Sequence, residues 1–193
     1  SLFGGTLSLT GSTFDSNSTS WAGGGIHLAA SSSATIVNST FYSNVGGFNG
    51  GGAINNAGTL NINFSTIANN RASSGSGINT TGSTTVNNTI VAMNADGATQ
   101  NNCNGTIGSG SNNLTDDATC GAVFTYSTNI GLSGPANNGG DTFTFSLIPP
   151  SSAINAAASC IATDQRGVNR GTTCDIGAYE YDGQPDMSIN NVT

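Results

Sequence analysis

A nine-residue pattern of apolar and polar positions occurs four times in the first half of the chain, as LTGSTFDSN, IVNSTFYSN, INFSTIANN and VNNTIVAMN. Each copy has an apolar residue, a small residue with a hydroxyl group, a second apolar residue and a final asparagine. These asparagines are 27, 26 and 24 residues apart, and they are Asn17, Asn44, Asn70 and Asn94. A repeat of this length predicts a solenoid, in which each coil packs on the coils beside it.

Each repeat contains three short segments with the composition of β-strands. Two of them surround the two apolar columns, and the third follows a glycine-rich turn at Ile26, Ile54 and Ile78. β-Branched and aromatic residues at inward positions and glycines at the corners favour strands. The chain is therefore expected to be all-β, a right-handed parallel β-helix with coils of about 25 residues and a disulfide-stapled C-terminal cap.

Two other solenoid classes fit this chain less well. Helical repeats require apolar residues at i, i+3, i+4 and i+7 and an excess of strong helix formers. This chain has one glutamate, no lysine and 28 glycines. A leucine-rich repeat is excluded because leucine is scarce.

The asparagine column has a structural explanation. An asparagine at the same corner of successive coils can hydrogen-bond to the backbone or to the asparagines above and below, and it tolerates left-handed backbone angles. An asparagine-lined ligand face is the alternative. The hydroxyl column is interpreted in the same way, as a stack of small residues beside the core, and its members are Ser12, Ser39, Ser65 and Thr89.

The repeat period is lost after Asn94. Residues 1–134 are assigned to the β-helix coils, residues 135–182 to a C-terminal cap, and residues 183–193 to a linker into a following domain. The cap is expected at the end of the stack, because the end of a solenoid exposes unpaired strand edges and core residues.

Four cysteines lie in the C-terminal half, and three pairings are possible. Proximity in sequence favours the pairs Cys103–Cys120 and Cys160–Cys174. Zinc binding competes with this interpretation, but no CxxC pair exists and the single histidine, His27, is distant in sequence. Disulfides would indicate an oxidising, extracellular environment.

The charge of the chain narrows the choice of partners. The formal net charge is −7, there is no lysine, and the three arginines are Arg71, Arg166 and Arg170. Nucleic acids and anionic membrane surfaces require a basic footprint, so neither is an expected partner. No apolar run is long enough to span a bilayer, and no transmembrane segment is expected.

No cofactor is predicted, and no residue is assigned as a metal ligand. Calcium is the one metal that the sequence leaves open, because oxygen ligands are available in glycine- and asparagine-rich loops. No DxDxDG loop or calcium-binding nonapeptide repeat accompanies them. The residues that offer these ligands are Asp96, Asp116, Asp117 and Asp141.

Several short motifs occur together in the second half of the chain: NTIVAMN at 88–94, NGG at 138–140, AINA at 153–156, DQRG at 164–167 and CDIGAYE at 174–180. In this combination the chain resembles the choice-of-anchor Q domain family of bacteria, and its repeats are similar to those of polymorphic outer-membrane proteins. The resemblance implies a β-helix within a large secreted or surface-anchored protein, and it implies no catalytic residues. The tail, with PDMSI at 185–189, resembles the start of immunoglobulin-like repeats.

Charged residues gather in the cap of a chain that otherwise has few of them. Arg166 is expected to form an ion pair with a carboxylate and to fasten the cap to the last coil. A catalytic or sugar-binding cluster of carboxylates is the alternative. The residues concerned are Asp164, Arg166, Asp175 and Glu180.

The sequence favours a protein without catalytic activity, and no catalytic residue is assigned. Glycoside hydrolysis requires two carboxylates at a defined separation, and the GHG and RIK motifs of β-helical polygalacturonases are missing. Arg71, the one arginine in the repeats, has no acidic cluster at the same phase of the neighbouring coils, as a lyase would require.

The predicted function is that of an extracellular structural or adhesive module at a bacterial cell surface or in a secreted protein. A cell-surface polymer, a carbohydrate or like subunits are the expected partners. The turns around Trp21, Phe48 and Asn49 are the predicted contact surface, because the two aromatic residues lie outside the core columns. The alternative is a β-helix that binds or degrades polysaccharides.

Overall fold

The computed structural model describes residues 1–183, and within this range every helix or strand element is a β-strand. The chain winds through stacked coils. Each of the first four coils adds one strand to each of three parallel sheets, which we call A, B and C, and the chain that follows extends sheets B and C. The parallel β-helix predicted from the repeats is therefore confirmed. The linker predicted at 183–193 lies, apart from its first residue, outside the described residues.

The strands divide between the sheets in a fixed order. Sheet A contains β3 (Ile26–Leu28), β6 (Ile54–Asn56), β9 (Ile78–Thr80) and β14 (Cys103–Asn104). Sheet B contains β1 (Gly5–Thr10), β4 (Ser32–Val37), β7 (Thr59–Asn63), β10 (Ser83–Asn87) and β15 (Ser109–Ser111). Sheet C contains β2 (Thr13–Asp15), β5 (Thr40–Tyr42), β8 (Thr66–Ala68), β11 (Ile90–Ala92), β16 (Asn113–Thr115) and β17 (Phe124–Tyr126). Two antiparallel pairs stand apart, β12 (Ala95–Asp96) with β13 (Thr99–Gln100) and β18 (Leu132–Ala136) with β19 (Thr144–Leu147).

The apolar columns of the repeat meet inside the coils. Leu9 pairs with Ile36 in sheet B, and Phe14 pairs with Phe41 in sheet C. The Phe14 and Phe41 rings stack with 4.8 Å between their centroids. Because equivalent positions pair in register, each coil places its apolar side chains on those of the next, and the coils share one hydrophobic core.

Left-handed backbone angles form the corner between sheets B and C. The corner residue of each coil is Gly11, Asn38, Phe64, Asn88 or Asn112. Glycine and asparagine tolerate this conformation, whereas phenylalanine rarely adopts it. A second left-handed residue precedes each asparagine of the repeat, at Ser16, Ser43, Asn69 and Met93. The left-handed angles expected at the repeat asparagines therefore occur one residue earlier.

The repeat asparagines form a continuous hydrogen-bonded ladder. The Nδ2 atom of each donates to Oδ1 of the asparagine in the next coil, at 2.9 Å from Asn17 to Asn44, 2.8 Å from Asn44 to Asn70 and 2.9 Å from Asn70 to Asn94. Each of these Oδ1 atoms also accepts the backbone N–H of the preceding asparagine. Asn102, which the repeat did not reveal, extends the ladder by accepting from Asn94 Nδ2 at 2.9 Å. The column is thus part of the stack rather than a ligand face.

The hydroxyl column forms a second ladder beside the first. Ser39 Oγ accepts the N–H of Ser12, Ser65 Oγ accepts that of Ser39, and Thr89 Oγ1 accepts that of Ser65, each at 3.3 Å. These hydroxyl groups are therefore used by the fold, as the sequence predicted.

The outer face of sheet B is polar and uncharged. Its outward positions alternate along each strand with inward residues, and all but Val37 are serine, threonine or asparagine. They form three rows across the strands: Thr6, Ser33, Thr59 and Ser83; Ser8, Thr35, Asn61, Thr85 and Ser109; and Thr10, Val37, Asn63, Asn87 and Ser111.

The predicted cap folds back along sheet C. We call residues 132–182, which begin with β18, the clasp. The clasp forms a second hydrophobic core with the outward residues of sheet C, in which Ile90 and Ala92 lie with Leu147, Ile176 and Tyr179 of the clasp. Sheet C is therefore covered on both faces, whereas sheet B has one face in solvent.

The clasp is hydrogen-bonded to each of the four coils that begin with β1, β4, β7 and β10. The bonds are Gln165 Nε2 to Thr13 Oγ1 (2.8 Å), Thr40 Oγ1 to Gln165 Oε1 (2.6 Å), Ala178 N to Thr66 Oγ1 (3.0 Å) and Gly177 N to Asn88 O (2.9 Å). The clasp therefore spans the stack from its fourth coil to its first.

The two predicted disulfides are present. Cys103–Cys120 joins β14 to the loop before β17, whose Phe124 packs on the end of the core, and Cys160–Cys174 lies within the clasp. The cap was expected at the end of the stack, whereas residues 135–182 lie along its flank. The reason is that sheet C carries apolar outward residues beside its threonines, among them Ile90, Ala92 and Leu114, and only a second layer can remove these from water.

Replacing Asn70, in the middle of the ladder, is expected to be costly. In Asn70→Ala the buried N–H and Nδ2 of Asn44 lose their acceptor, which we expect to lower the free energy of unfolding by about 2–4 kcal/mol. Asn17→Ala is the control, because Asn17 is exposed at the end of the ladder and should cost less than about 1 kcal/mol. Urea denaturation of the two variants measures the difference, and equal losses would show that the ladder does not stabilise the stack.

Candidate functional site

A surface groove lies where the loops that lead from sheet C to sheet A stack on one another. Its volume is about 470 Å³, which lies in the range of small-molecule sites. The groove crosses several coils, and its lining residues are Thr19, Ser20, Val45, Gly46, Gly47, Phe48, Arg71, Ala72, Ser73 and Asp96.

Phe48 is the most exposed apolar side chain of the groove, with 88 % of its surface accessible. Its loop is held closely between the loops of neighbouring coils. A Cβ atom at Gly47 would lie 2.0 Å from the carbonyl oxygen of Ser20, and one at Gly50, where φ is 74°, would lie 2.3 Å from that of Ser74. Only glycine fits these two positions, so the loop has little freedom to move.

The tip of the same loop is fixed to sheet A through the backbone oxygen of Asn49. This oxygen accepts hydrogen bonds from Asn55 Nδ2 at 3.0 Å and Asn79 Nδ2 at 2.7 Å. Asn55 and Asn79 are neighbours in β6 and β9, and Asn55 Oδ1 is also bonded to His27 Nδ1 at 3.0 Å. The fold thus presents Phe48 to solvent on a rigid support.

Arg71 and Asp96 form an exposed ion pair at the groove, with Nε and Oδ1 3.2 Å apart. Arg71 follows Val45 in the adjacent coil, where the two residues form a parallel bridge. Within residues 1–183 the side chain of Arg71 makes this hydrogen bond through Nε. Its two terminal nitrogens are therefore available to a ligand.

The predicted contact residues lie side by side, but they have different roles. Phe48 lines the groove, whereas Asn49 supports the loop through its backbone and exposes its side chain. Trp21 is 64 % exposed, and its backbone oxygen accepts the N–H of Asn49 at 3.1 Å, but it is not a lining residue.

Sequence reasoning missed the contribution of Arg71 and Asp96. It looked for an acidic residue at the equivalent position of the next coil, which is Ala95. The partner is the residue after it, Asp96, in β12. Because β12 belongs to the irregular segment after Asn94, the repeat carried no signal for it.

The charged residues of the cap come together inside the clasp. Asp164 accepts hydrogen bonds from Arg166 Nε at 2.8 Å, from the Arg166 N–H at 2.8 Å and from the Glu180 N–H at 3.0 Å. Arg166 also lies 3.6 Å over the Tyr179 ring and donates to the backbone oxygen of Asn138. The ion pair predicted for Arg166 exists, and these contacts join parts of the clasp rather than the clasp to the last coil.

Arg170, which sequence reasoning did not select, makes a further connection to the coils. It is completely buried, and its guanidinium donates to Glu180 Oε2 at 3.0 Å and to Asn38 Oδ1, in the second coil, at 3.2 Å. Three backbone oxygens accept its other hydrogen bonds. The ring of Phe64 lies 4.5 Å from the guanidinium carbon. Phe64 occupies the left-handed corner position, where the other coils have glycine or asparagine. This exception in the repeat was the sequence signal for a contact at Phe64.

Burial changes the protonation of the carboxylates near Arg170. It raises the pKa of Glu180 to about 7, although the Asp175 N–H and the charge of Arg170 act in the opposite direction. Burial also raises the pKa of Asp175, which accepts the N–H groups of Asn155 and Tyr181. These carboxylates are enclosed by the clasp, not presented to a substrate.

The residues considered for calcium are spread over the fold. Asp116 accepts from the Met93 N–H and from Asn102 Nδ2, Asp117 accepts from the Asn102 N–H, and Asp96 is paired with Arg71. Asp141 is exposed. Within the part of the chain that the structure describes, no three histidine, cysteine, aspartate or glutamate residues are grouped so as to hold a metal ion.

Comparisons with protein-family models, with curated proteins and with solved structures found no match for this chain. The resemblance to the choice-of-anchor Q family therefore stays a prediction. Among the described residues there is no helix with the length and apolarity that a membrane span requires.

Arg170→Met is expected to destabilise the protein strongly. Removing the buried guanidinium takes away the cation paired with Glu180 and the donor to Asn38 Oδ1. This should cost about 3–5 kcal/mol when measured at a pH above about 7, where Glu180 is charged. Arg71→Met is the matched control, since it breaks an exposed ion pair worth about 0–1 kcal/mol. Chemical denaturation measures both values, and a loss as small in Arg170→Met as in Arg71→Met would contradict the role given to the clasp.

The stability of the protein is expected to fall as pH rises from 4.5 to about 7. Folded Glu180 holds its proton over this range while the unfolded chain has lost it, so the folded state binds more protons and a rise in pH favours unfolding. The unfolding temperature of the wild type should decrease across this window, and Glu180→Gln should reduce the decrease. If the unfolding temperature of Glu180→Gln falls as much as that of the wild type, a group other than Glu180 causes the pH dependence.

Proposed function

We propose that this chain is an extracellular structural and adhesive module of a bacterial cell-surface or secreted protein. The clasp is the observation that supports the proposal most strongly. It is bonded to four successive coils, so it ties each of these coils to its neighbours. A stack fixed in this way is suited to hold a contact surface at a defined position.

Two surfaces of the stack are free to make contacts. The outer face of sheet B carries rows of hydroxyl and amide groups without charge, and the groove beside Phe48 carries an exposed aromatic ring and an ion pair. Surfaces of this kind suit a carbohydrate, another polymer of the cell surface or a like subunit. The net charge of −7 disfavours nucleic acid as a partner.

The placement of the carboxylates supports a role without catalysis. Asp164, Asp175 and Glu180 are buried in hydrogen bonds of the clasp, and Asp116 and Asp117 hold backbone groups of the loops. The polysaccharide-degrading alternative needs a pair of carboxylates presented to a substrate. The polysaccharide-binding alternative is compatible with the adhesive role.

The extracellular location rests on two observations. The disulfides Cys103–Cys120 and Cys160–Cys174 indicate an oxidising environment. The DQRG and CDIGAYE motifs resemble the choice-of-anchor Q family, and in this structure Asp164, Arg166 and Glu180 of those motifs form the interior of the clasp. We therefore include that family in the proposal.

The test measures three properties of the chain: its retention on immobilised polysaccharides, its self-association, and its cleavage of polysaccharides. The purified chain is passed over immobilised bacterial cell-wall polysaccharides and plant polysaccharides, its self-association is measured by sedimentation velocity, and new polymer ends are sought by mass spectrometry. We expect retention or self-association without new chain ends. The heat-unfolded, reduced chain is the control for non-specific retention.

Two results would overturn the proposal. New chain ends released by the folded chain, and not by the heat-unfolded control, would make the chain an enzyme. A chain that stays monomeric and is retained by no polymer would not be adhesive.

A further inference from the structure

We infer that the groove formed by Val45, Phe48, Arg71 and Asp96 binds a neutral sugar unit of a polysaccharide. The inference rests on the proposed adhesive function, and it names the class of ligand and the surface that receives it. The outer face of sheet B, the other free surface, has no aromatic side chain on which a sugar could stack.

The apolar part of the site is the exposed face made by Phe48 and Val45. Phe48 is 88 % exposed and Val45 is 38 % exposed, in a chain that buries most of its large apolar side chains. The ring of a sugar has a face of C–H groups, which packs on an aromatic ring and removes both surfaces from water. An exposed apolar patch with a polar surround is typical of a binding site.

The polar part of the site is the Arg71–Asp96 ion pair. Arg71 Nε donates to Asp96 Oδ1 at 3.2 Å and the terminal nitrogens remain as donors, while the second carboxylate oxygen of Asp96 is an acceptor. Neighbouring hydroxyl groups of a sugar need both a donor and an acceptor, since each hydroxyl can donate and accept. Hydrogen bonds to charged groups are also the stronger ones.

The charge balance favours a neutral sugar over an acidic one. The charges of Arg71 and Asp96 cancel locally, and the whole chain has a net charge of −7, which repels a polyanion. The carboxylate of an acidic sugar would have to displace Asp96 in order to pair with Arg71. The hydroxyl groups of a neutral sugar can hydrogen-bond to Arg71 and Asp96 while the ion pair stays intact.

The site is also preorganised. Gly47 and Gly50 pack against the backbones of adjacent coils, and the Asn49 oxygen is held by two amide groups of sheet A. Little loop entropy is therefore lost when a ligand binds, which favours affinity at a shallow site.

The experiment measures binding of the folded chain to an array of neutral oligosaccharides, followed by calorimetry with the strongest ligand. A hexamer of galacturonic acid and its fully methyl-esterified form serve as the acidic probe and its neutral counterpart, with a chelator present. The variants are Phe48→Ala and Arg71→Met. Tyr126→Ala is the control, because Tyr126 is 59 % exposed on β17, outside the groove.

We expect the wild type to bind a neutral oligosaccharide, and each groove variant to lose about tenfold or more in affinity while Tyr126→Ala keeps the wild-type value. Unchanged binding in the two groove variants would overturn the inference and leave the adhesive function intact on another surface. Tighter binding of the acidic hexamer than of its ester would overturn the choice of a neutral sugar. A chain that binds no oligosaccharide but is retained on a polymer or self-associates would remain adhesive, and the groove would not be its site.

Discussion

The inner asparagines of the ladder, Asn44, Asn70 and Asn94, are bonded to the coils on both sides, and this coupling sets the geometry of the molecule. The side chain of Asn70 accepts from Asn44 and donates to Asn94, so a shift of one coil would break bonds in both directions. The spacing of the coils is then that of paired strands, about 4.8 Å. With register fixed at this corner, the apolar columns must stack, and the loops between sheets C and A must stack as well. The groove at Phe48 is a consequence of that second stacking.

The three sheets differ in what covers their outer faces. This difference separates the sheet that holds the clasp from the sheets that support or form the exposed surfaces. Sheet C has apolar residues outside as well as inside, and the clasp covers them. Sheet A carries asparagines outside, and two of them, Asn55 and Asn79, support the loop of Phe48. Sheet B keeps its polar rows in solvent. The interior of the clasp is closed by Arg170, which pairs with Glu180 of the clasp and donates to Asn38 of the second coil. The contacts of the clasp therefore lie on the flank of sheet C, and the surfaces available for contact are the outer face of sheet B and the groove beside Phe48.

The sequence was informative wherever the structure is periodic. The three sheets, the two ladders and the location of the exposed loops follow from columns that return with every coil, because each coil repeats the same local conditions. The path of the clasp could not be obtained in this way, since residues 135–182 contain no repeat and their partners lie far away in the chain. Asn102 joins the ladder only eight positions after Asn94, across an irregular hairpin. Arg166 could be selected from the sequence because it lies in the DQRG motif. Arg170, which contacts the coils, had one sequence signal: its partner Phe64 occupies a corner position where the other coils have glycine or asparagine.

The hydrogen bond between Gln165 and Thr13 joins residues that are 152 positions apart. A chain is synthesised from its N-terminus, so the first coils emerge well before the segment that covers them. During that interval the apolar residues on the outer face of sheet C, such as Ile90 and Ala92, are open to water and to other nascent chains. The stack can form early because its contacts join adjacent coils, but it remains prone to aggregation until the clasp is synthesised and closes over sheet C.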